Sequence, residues 1–314
     1  MYLNLKLAAV DIGSNAIRFQ VTHVLNYNGV LTFKKLEYVR FPLRLGQDVF
    51  NLNVISPEKE AKFIKLMQTF KNLFELYEVD DYALCATSAM REAKNGKEVV
   101  QRVKEQVGLE INIIDGDKEA ELTNSVIFNE LDNKNYIHID VGGGSTELNI
   151  FINKVKTASH SFKIGSVRRL NGQDSEKEWD YMRQWIQQNV KRSYPPITAI
   201  GTGGNIGKIY ELANLAKGLK RPLINLDKIE QVQKMVARYT FEERVNVLML
   251  NPDRADVILP AADIYITAMK WANSKKMLVP EVGLKDGIML MLYEKHRHEF
   301  EKTTSIVNAN KYQK

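Results

Sequence analysis

Tyr136-Ile137-His138-Ile139-Asp140-Val141-Gly142-Gly143-Gly144-Ser145-Thr146-Glu147-Leu148-Asn149-Ile150 is an apolar run, a glycine loop and a second apolar run. Both runs have strand length and are rich in β-branched residues, so the stretch predicts two strands joined by a tight loop. Three consecutive glycines cost more chain entropy than a plain turn requires. They suit a backbone that must wrap an anion with its N–H groups. Asp140 and Glu147 at the ends of the loop cannot themselves attract phosphate. They fit if a divalent metal stands between them and the substrate.

Moving outward, the same pattern occurs earlier. Leu5 to Val10 is apolar and runs into Asp11-Ile12-Gly13-Ser14-Asn15, and Ala16 to Leu25 is β-rich. Gly13 permits close backbone approach, the Ser14 hydroxyl can face phosphate oxygens, and Asp11 can hold a hydrated cation or orient water. An ordinary hairpin turn remains open for this loop. Asn28-Gly29 signals a hairpin before Val30 to Phe33, giving a three-strand meander. Each half thus opens with an apolar strand, an Asp-x-Gly turn and a β-rich return strand, a repeat of architecture and not of sequence. The change of half falls near Gly116 to Asn124.

Between these landmarks, Ser56-Pro57-Glu58-Lys59 reads as an N-cap, a proline at the first helical position and an acidic first turn. Phe63, Leu66, Met67, Phe70, Leu73, Phe74 and Tyr77 follow at helical spacing and predict a packed face. Tyr82 to Ala86 and Ile111 to Ile114 read as strands, and Val99 to Val107 as a helix. In the second half, Val155 to Phe162 is a third strand and Trp179 to Val190 a helix. Ile197 to Ile200 is a strand running into Gly201-Thr202-Gly203-Gly204-Asn205. That third glycine loop opens a helix whose free N–H groups can meet another phosphate, or it is a simple turn. Arg91, just after a strand, can grip phosphate with both guanidinium nitrogens or make a surface ion pair. Glu119, in Gly116-Asp117-Lys118-Glu119-Ala120, sits where an acid caps a helix start. The C-terminal third is mostly helical.

Lys plus Arg is 44 against 38 for Asp plus Glu, a net charge of +6, which weakly favours an anionic partner. A single cysteine, Cys85, rules out an intramolecular disulfide and fits a reducing, cytoplasmic setting. The start does not read as a signal peptide, because Asp11 arrives early, and no apolar run is long enough to span a membrane. His23, His138, His160, His296 and His298 show no metal-site spacing with cysteine. Without a Ser-His-Asp or Cys-His context, water is the preferred nucleophile.

Taken together, AAVDIGSNAIRF, ATSAMREAKNG, GDKEAEL, IDVGGGSTEL, AIGTGGN and NPDRADVILP resemble the exopolyphosphatase / guanosine pentaphosphate phosphohydrolase (Ppx/GppA) family. They occur in that family's order and cover residues 7 to about 290. The resemblance implies an α/β fold of two actin-like (ribonuclease H-like) ATPase-superfold domains with an interdomain cleft. It implies residues 1–120 as the first domain, completed by a C-terminal helix at about 295–314, and 121–294 as the second. Glu119 matches the catalytic glutamate that orients or deprotonates water. Asp140 and Glu147 match the acidic residues of the second loop and, with Asp11, would hold Mg²⁺ (or Mn²⁺). Ser14, Asn15, Arg91 and Gly142 to Ser145 would bind phosphate oxygens, with Gly13, Gly201, Gly203 and Gly204 as further phosphate-binding candidates. SFKIGSVRRL carries an extra Arg169, and GLKDG stands where Gly-Leu-Arg-Glu-Gly is usual.

The implied activity is release of terminal orthophosphate from inorganic polyphosphate. Hydrolysis of pppGpp to ppGpp is the close alternative. An ATP-dependent small-molecule kinase or a non-catalytic nucleotide sensor of the same superfold is more distant. Lys163, Arg168, Arg169, Lys191 and Arg192 could follow the extra phosphates of a polymer or be plain solvated surface. The expected partner is the phosphate substrate, with no membrane and no nucleic acid, and a homodimer is one option.

Overall fold

The computed structural model describes residues 4–27, 30–128, 131–190, 196–214 and 222–311. The expected Asn28-Gly29 turn lies outside the described residues. β1 (Asn4–Ile12), β2 (Ile17–Tyr27), β3 (Val30–Phe41), β4 (Asp81–Ala86) and β5 (Ile111–Ile113) form one sheet in the order β3-β2-β1-β4-β5. β6 (Tyr136–Val141), β7 (Thr146–Ile152), β8 (Val155–Phe162), β9 (Thr198–Thr202), β10 (Leu223–Asn225) and β11 (Lys276–Leu278) form the other, in the order β10-β11-β9-β6-β7-β8.

Leaving aside the edge strand β10, the two sheets have one topology. β1 is antiparallel to β2 and parallel to β4, and β6 is antiparallel to β7 and parallel to β9. The register repeats as well. Asp11 pairs with Arg18 across the first hairpin, and Asp140 pairs with Glu147 across the second.

β1 is a central strand. Leu7, Ala8, Ala9 and Val10 are fully buried, as expected where helices cover both faces of a sheet. On one face lies the helix Pro57–Leu76, started by Ser56, whose hydroxyl accepts from the Lys59 amide. Phe63, Met67, Phe70 and Phe74 of the predicted stripe are buried there, and Phe70 stacks on Phe19 with ring centroids 4.8 Å apart. Burying each such ring contributes about 1.5–3 kcal/mol. β3 is the sheet's outer edge and runs longer than the sequence suggested. Its exposed Lys34 and Lys35 discourage edge-to-edge pairing.

The chain crosses between the lobes twice. The first crossing is the helix Gly116–Ile127, and the second is the helix Leu284–Lys311. They touch at Gly287, where a Cβ would collide with the Leu122 backbone. The C-terminal helix therefore begins well before the expected residue 295. Leu284, Ile288, Met289, Leu292 and Tyr293 pack on Leu7, Ala9, Val24, Ala83 and Cys85 of the first sheet. Residues 284–294 thus belong with the first lobe and not with 121–294. The expected boundary at 120/121 falls inside the helix Gly116–Ile127 and does not separate two packed bodies.

Candidate active site

The repeated hairpins point into one cleft between the lobes. The first contributes Asp11, Gly13, Ser14 and Asn15, and the second contributes Asp140, Gly142, Gly143, Ser145 and Glu147. Glu119 enters from the first turn of the helix Gly116–Ile127, and Gly203 and Gly204 enter from the start of the helix Gly204–Leu212. Gly203 has φ of +103°, a conformation that glycine adopts without strain.

Asp115 already caps the helix that carries Glu119, its carboxylate accepting from the Lys118 amide at 2.8 Å. Glu119 is thus released from the capping role. Its Oε2 is sealed from solvent and has no hydrogen-bond partner among the described residues. Desolvation, followed by the charges of Glu147, Asp140 and Asp11, raises its pKa well above the ordinary carboxylate range. Desolvation and Asp140 likewise push Glu147 up to about 7, although Ser161 donates to it at 2.7 Å. Desolvation raises Asp140 to about 6, opposed by a hydrogen bond from Thr202 and the charge of Arg18. These acids repel one another in a poorly solvated space, which disfavours their charged forms.

The cleft also carries basic residues, and most of them escaped the sequence reading. Arg18 donates to Asp11 at 2.6 Å, and Arg18, Arg40, Arg254 and Lys285 all line the cleft with Tyr38. Burial works against the Arg18 charge, but Asp11, Tyr38 and Asp140 together outweigh it and raise the pKa. Among the described residues Arg254 forms no such ion pair. Burial, followed by the charges of Arg40 and Arg18, lowers its pKa. Asp253 beside it is already taken, since its carbonyl accepts from Asn15 at 2.8 Å and its carboxylate accepts from Arg40. Arg18 was legible through register alone, because it lies seven residues after Asp11 as Glu147 lies seven after Asp140. Arg254 stands in the quoted NPDRADVILP stretch, whose side chains carried no assigned role.

Three candidates do not reach the cleft. Arg91 donates to the Ile114 carbonyl at 2.6 Å, and its charge offsets those of Glu119 and Glu147. Gly144 is buried against the first lobe, where a Cβ would lie 2.6 Å from the Ser88 hydroxyl. Gly201 is glycine because a Cβ would lie 2.5 Å from the Met277 sulfur beneath it. Gly143 also owes its small size to the opposite lobe, for a Cβ there would meet Ser14 at 2.8 Å. Close approach of the lobes therefore accounts for two of the three consecutive glycines.

Two of the five basic residues suggested as a polymer track, Arg168 and Arg169, are otherwise engaged. Arg168 makes two 2.7 Å bonds from one nitrogen to the Glu92 carboxylate, donates to the Gly144 carbonyl and lies over the Phe50 ring. Arg169 pairs with Asp174 and Asp263. Lys163 is exposed, and Lys191 and Arg192 lie outside the described residues. His138 is fully buried, and burial lowers its pKa to about 3. Cys85, on β4 beside β1, is buried, and desolvation pushes its thiol up to about 12, which makes it a poor nucleophile. Among the described residues no helix is long and apolar enough to cross a membrane.

Comparison with known proteins bears on this site. Residues 25–296 match the Ppx/GppA phosphatase family. The chain is 26% identical to the bifunctional 3-dehydroquinate synthase/phosphatase of Fusobacterium nucleatum, over 93% of the chain and 46% of that protein. It is 25% identical to the guanosine-5'-triphosphate,3'-diphosphate pyrophosphatase of Aliivibrio fischeri, over 93% of the chain and 60% of that protein. It spans about half the length of these curated relatives. Its fold matches that of an exopolyphosphatase from Cytophaga hutchinsonii with a TM-score of 0.79 at 20% identity, over 92% of this chain and 98% of that one. The two-lobed α/β architecture is thus the actin-like ATPase-type fold expected from the sequence.

Proposed function

The chain belongs to the Ppx/GppA phosphatase family, and we propose that it is a metal-dependent exopolyphosphatase that releases terminal orthophosphate from inorganic polyphosphate. The carrying observation is the meeting of acidic and basic groups in one cleft. Glu119, Asp140 and Glu147 line it together with Arg18, Arg40 and Arg254. A terminal phosphate in this cleft meets both a base for water and anion-binding groups.

The residues fit a hard divalent cation. Glu119 Oε2 is an orphaned acceptor among the described residues, and burial holds Asp140 and Glu147 above the ordinary carboxylate range despite the nearby charges of Arg18 and Arg91. Among the described residues no three His, Cys, Asp or Glu converge on one metal position. That suits Mg²⁺ or Mn²⁺, which keep waters and share phosphate oxygens, and not an all-protein cage. Asp140, Glu147 and Asp11 would hold it through waters, with Asp11 also engaged by Arg18. The bound cation would offset phosphate charge and allow these acids to ionise.

In this reading the Glu119 carboxylate accepts a proton from water aligned with the scissile bond. Amides of the two hairpins and of Gly203 and Gly204 donate to the phosphate oxygens. Arg18 and Arg254 stabilise charge as the terminal phosphate separates. Water oxygen forms the new P–O bond, the bridging oxygen leaves with the shortened chain, and the proton goes to Glu119.

Hydrolysis of pppGpp remains the second reading, favoured by one feature. The half-exposed Tyr38 ring on the cleft wall offers a stacking face for a base, which inorganic polyphosphate lacks. Phosphate release from polyphosphate, pppGpp and ATP with Mg²⁺ separates the readings. A kcat/KM for pppGpp far above that for polyphosphate would reverse the order. Phosphoryl transfer from ATP without phosphate release would replace both with a kinase.

A further inference from the structure

The segment that carries Arg254 is pinned between the lobes on both sides of that residue. It is the short helix Pro252–Ala255, followed by Asp256. Leu250 and Ala255 are buried in the core of the second lobe, and Arg244 donates to the Ala255 carbonyl at 3.1 Å. Val257, two residues further on, is fully buried in the core of the first lobe.

Arg254 stands in the cleft without an ion pair to hold it there. Among the described residues its guanidinium has no carboxylate within salt-bridge reach, and Arg40 and Arg18 repel it. A Cβ on Gly204 would nevertheless lie 3.2 Å from Arg254 Nη2 and 3.6 Å from Arg18 Nη2. Two groups of like charge thus converge beside the same glycine. Side-chain attraction does not explain that position, so the backbone must supply it.

The residues on either side of Arg254 supply the hold. Asp253 is 4% exposed. Its carbonyl accepts from the Asn15 amide at 2.8 Å, and its carboxylate accepts from Asn15 at 3.3 Å and from Arg40 at 3.2 Å. Asp256 pairs with Arg44. Asn15, Arg40 and Arg44 all belong to the first lobe. Asn15 and Arg44 are also tied to each other, because the Arg44 amide donates to the Asn15 carbonyl at 3.0 Å. Arg44 has φ of +57°, a left-handed conformation that a bulky residue keeps only where its surroundings enforce it. The Asn15 amide, expected on phosphate, is therefore engaged by Asp253.

We infer that Asp253 and Asp256 are positioning residues for Arg254: they clamp its backbone to Asn15, Arg40 and Arg44 of the first lobe and so hold a repelled guanidinium beside Gly204, where phosphate would meet it. The inference rests on the proposed role of Arg254 in the phosphatase reading. Neither Arg44 nor Asp256 lines the cleft, so an effect of this pair on turnover must pass through another residue.

A double-mutant cycle in the full-length protein identifies that residue. Asp256→Asn, Arg254→Ala and the double variant are compared in kcat, KM and melting temperature, on inorganic polyphosphate and on pppGpp with Mg²⁺. Arg44→Gln cuts the same pair from the first lobe and serves as an independent second variant. Arg254→Ala should lower kcat/KM roughly 10–100-fold, as loss of a contact with a charged group does. Asp256→Asn and Arg44→Gln should each lower kcat/KM about 10-fold, because a small misplacement of a binding group is costly in the transition state. In the Arg254→Ala background the same two substitutions should lower kcat/KM less than about twofold further, since residues that act through one another are not additive. Wild-type-like kcat/KM in both Asp256→Asn and Arg44→Gln would overturn the inference and leave the phosphatase reading intact. Losses that multiply in full with that of Arg254→Ala would overturn it too, and would assign the pair to the fold. Normal kcat/KM in Arg254→Ala would overturn the inference together with the role of Arg254. A wild-type protein that releases phosphate from neither substrate would overturn the phosphatase reading and the inference with it.

Discussion

Arg18 holds in the first hairpin the place that Glu147 holds in the second. Each is the strand partner of the aspartate that opens its loop, Asp11 for Arg18 and Asp140 for Glu147. One duplicated turn therefore carries an internally neutralised acid on the first lobe and an unbalanced pair of acids on the second. The cleft between them can take both an anion and a cation without any change of backbone.

Arg18→Ala should lower kcat/KM roughly 10–100-fold, since one contact with a charged group contributes about 1.5–3 kcal/mol. Steady-state kinetics on the preferred substrate check this. Unchanged kcat/KM would confine Arg18 to holding Asp11.

The raised carboxylates set a pH dependence. Asp140 is displaced from 3.8 to about 6 and Glu147 from 4.5 to about 7. The folded chain holds these protons more tightly than the unfolded one, so their stabilisation is full below the ordinary values and is lost as pH rises through the folded ones. Metal-free protein should therefore lose melting temperature from about pH 4 to about pH 7 through this term. Mg²⁺ favours the ionised acids, so it should raise the melting temperature more at about pH 8 than at about pH 5. EDTA should abolish hydrolysis and Mg²⁺ restore it. Thermal scans with and without Mg²⁺ across this range test the sign, and a larger Mg²⁺ effect at the acid end would contradict it.

Much of this frame was legible in the sequence. Strand-length apolar runs ending in Asp-x-Gly declared both hairpins, and Ser56-Pro57 declared a helix start that the Ser56 hydroxyl does cap. The basic residues of the cleft were not legible, because Arg40 and Arg254 are distant in sequence and meet only when the lobes approach. The same closeness gives two of the glycines a second reason to be glycine. Gly143 and Gly144 look like an anion cradle in one dimension, yet in three they make room for Ser14 and Ser88. Arg168 failed for the same reason, since its partner Glu92 lies on the other lobe.

Arg168→Ala should act on the fold before it acts on the substrate. The Arg168 side chain is 9% exposed, and its removal strands Glu92 and the Gly144 carbonyl. Breaking such a pair from one side costs about 3 kcal/mol or more. Chemical denaturation should show that loss, and any rise in KM should be equal for short and long polyphosphate. A rise that grows with chain length would return Arg168 to a substrate track.

Gly144→Ala distinguishes packing from anion binding at the glycine loop. The added methyl would press on Ser88, and overpacking of this kind costs about 1–3 kcal/mol. Melting temperature and kcat should fall together for every substrate. A variant of normal stability with only a raised KM would favour a loop that wraps phosphate at this residue.

Glu119→Gln separates base from scaffold. Asp115 caps the helix, so Glu119 has no structural duty there. Its carboxylate sits among Glu147, Asp140 and Asp11, which resist its ionisation. Glutamine keeps the shape and the hydrogen-bonding reach but cannot take a proton from water. Turnover should fall by about 10²–10⁴-fold, the range of a general base, while KM moves little. Stability should move the opposite way. Glu119 is raised in the folded chain, so above its folded pKa the wild type bears a charge its neighbours disfavour, and the glutamine does not. The variant should therefore match the wild type in acid and exceed its melting temperature increasingly as pH rises. Measured on one mutant, lost turnover with gained stability is the signature of a base held under electrostatic strain, and a variant with near-normal kcat removes Glu119 from the mechanism.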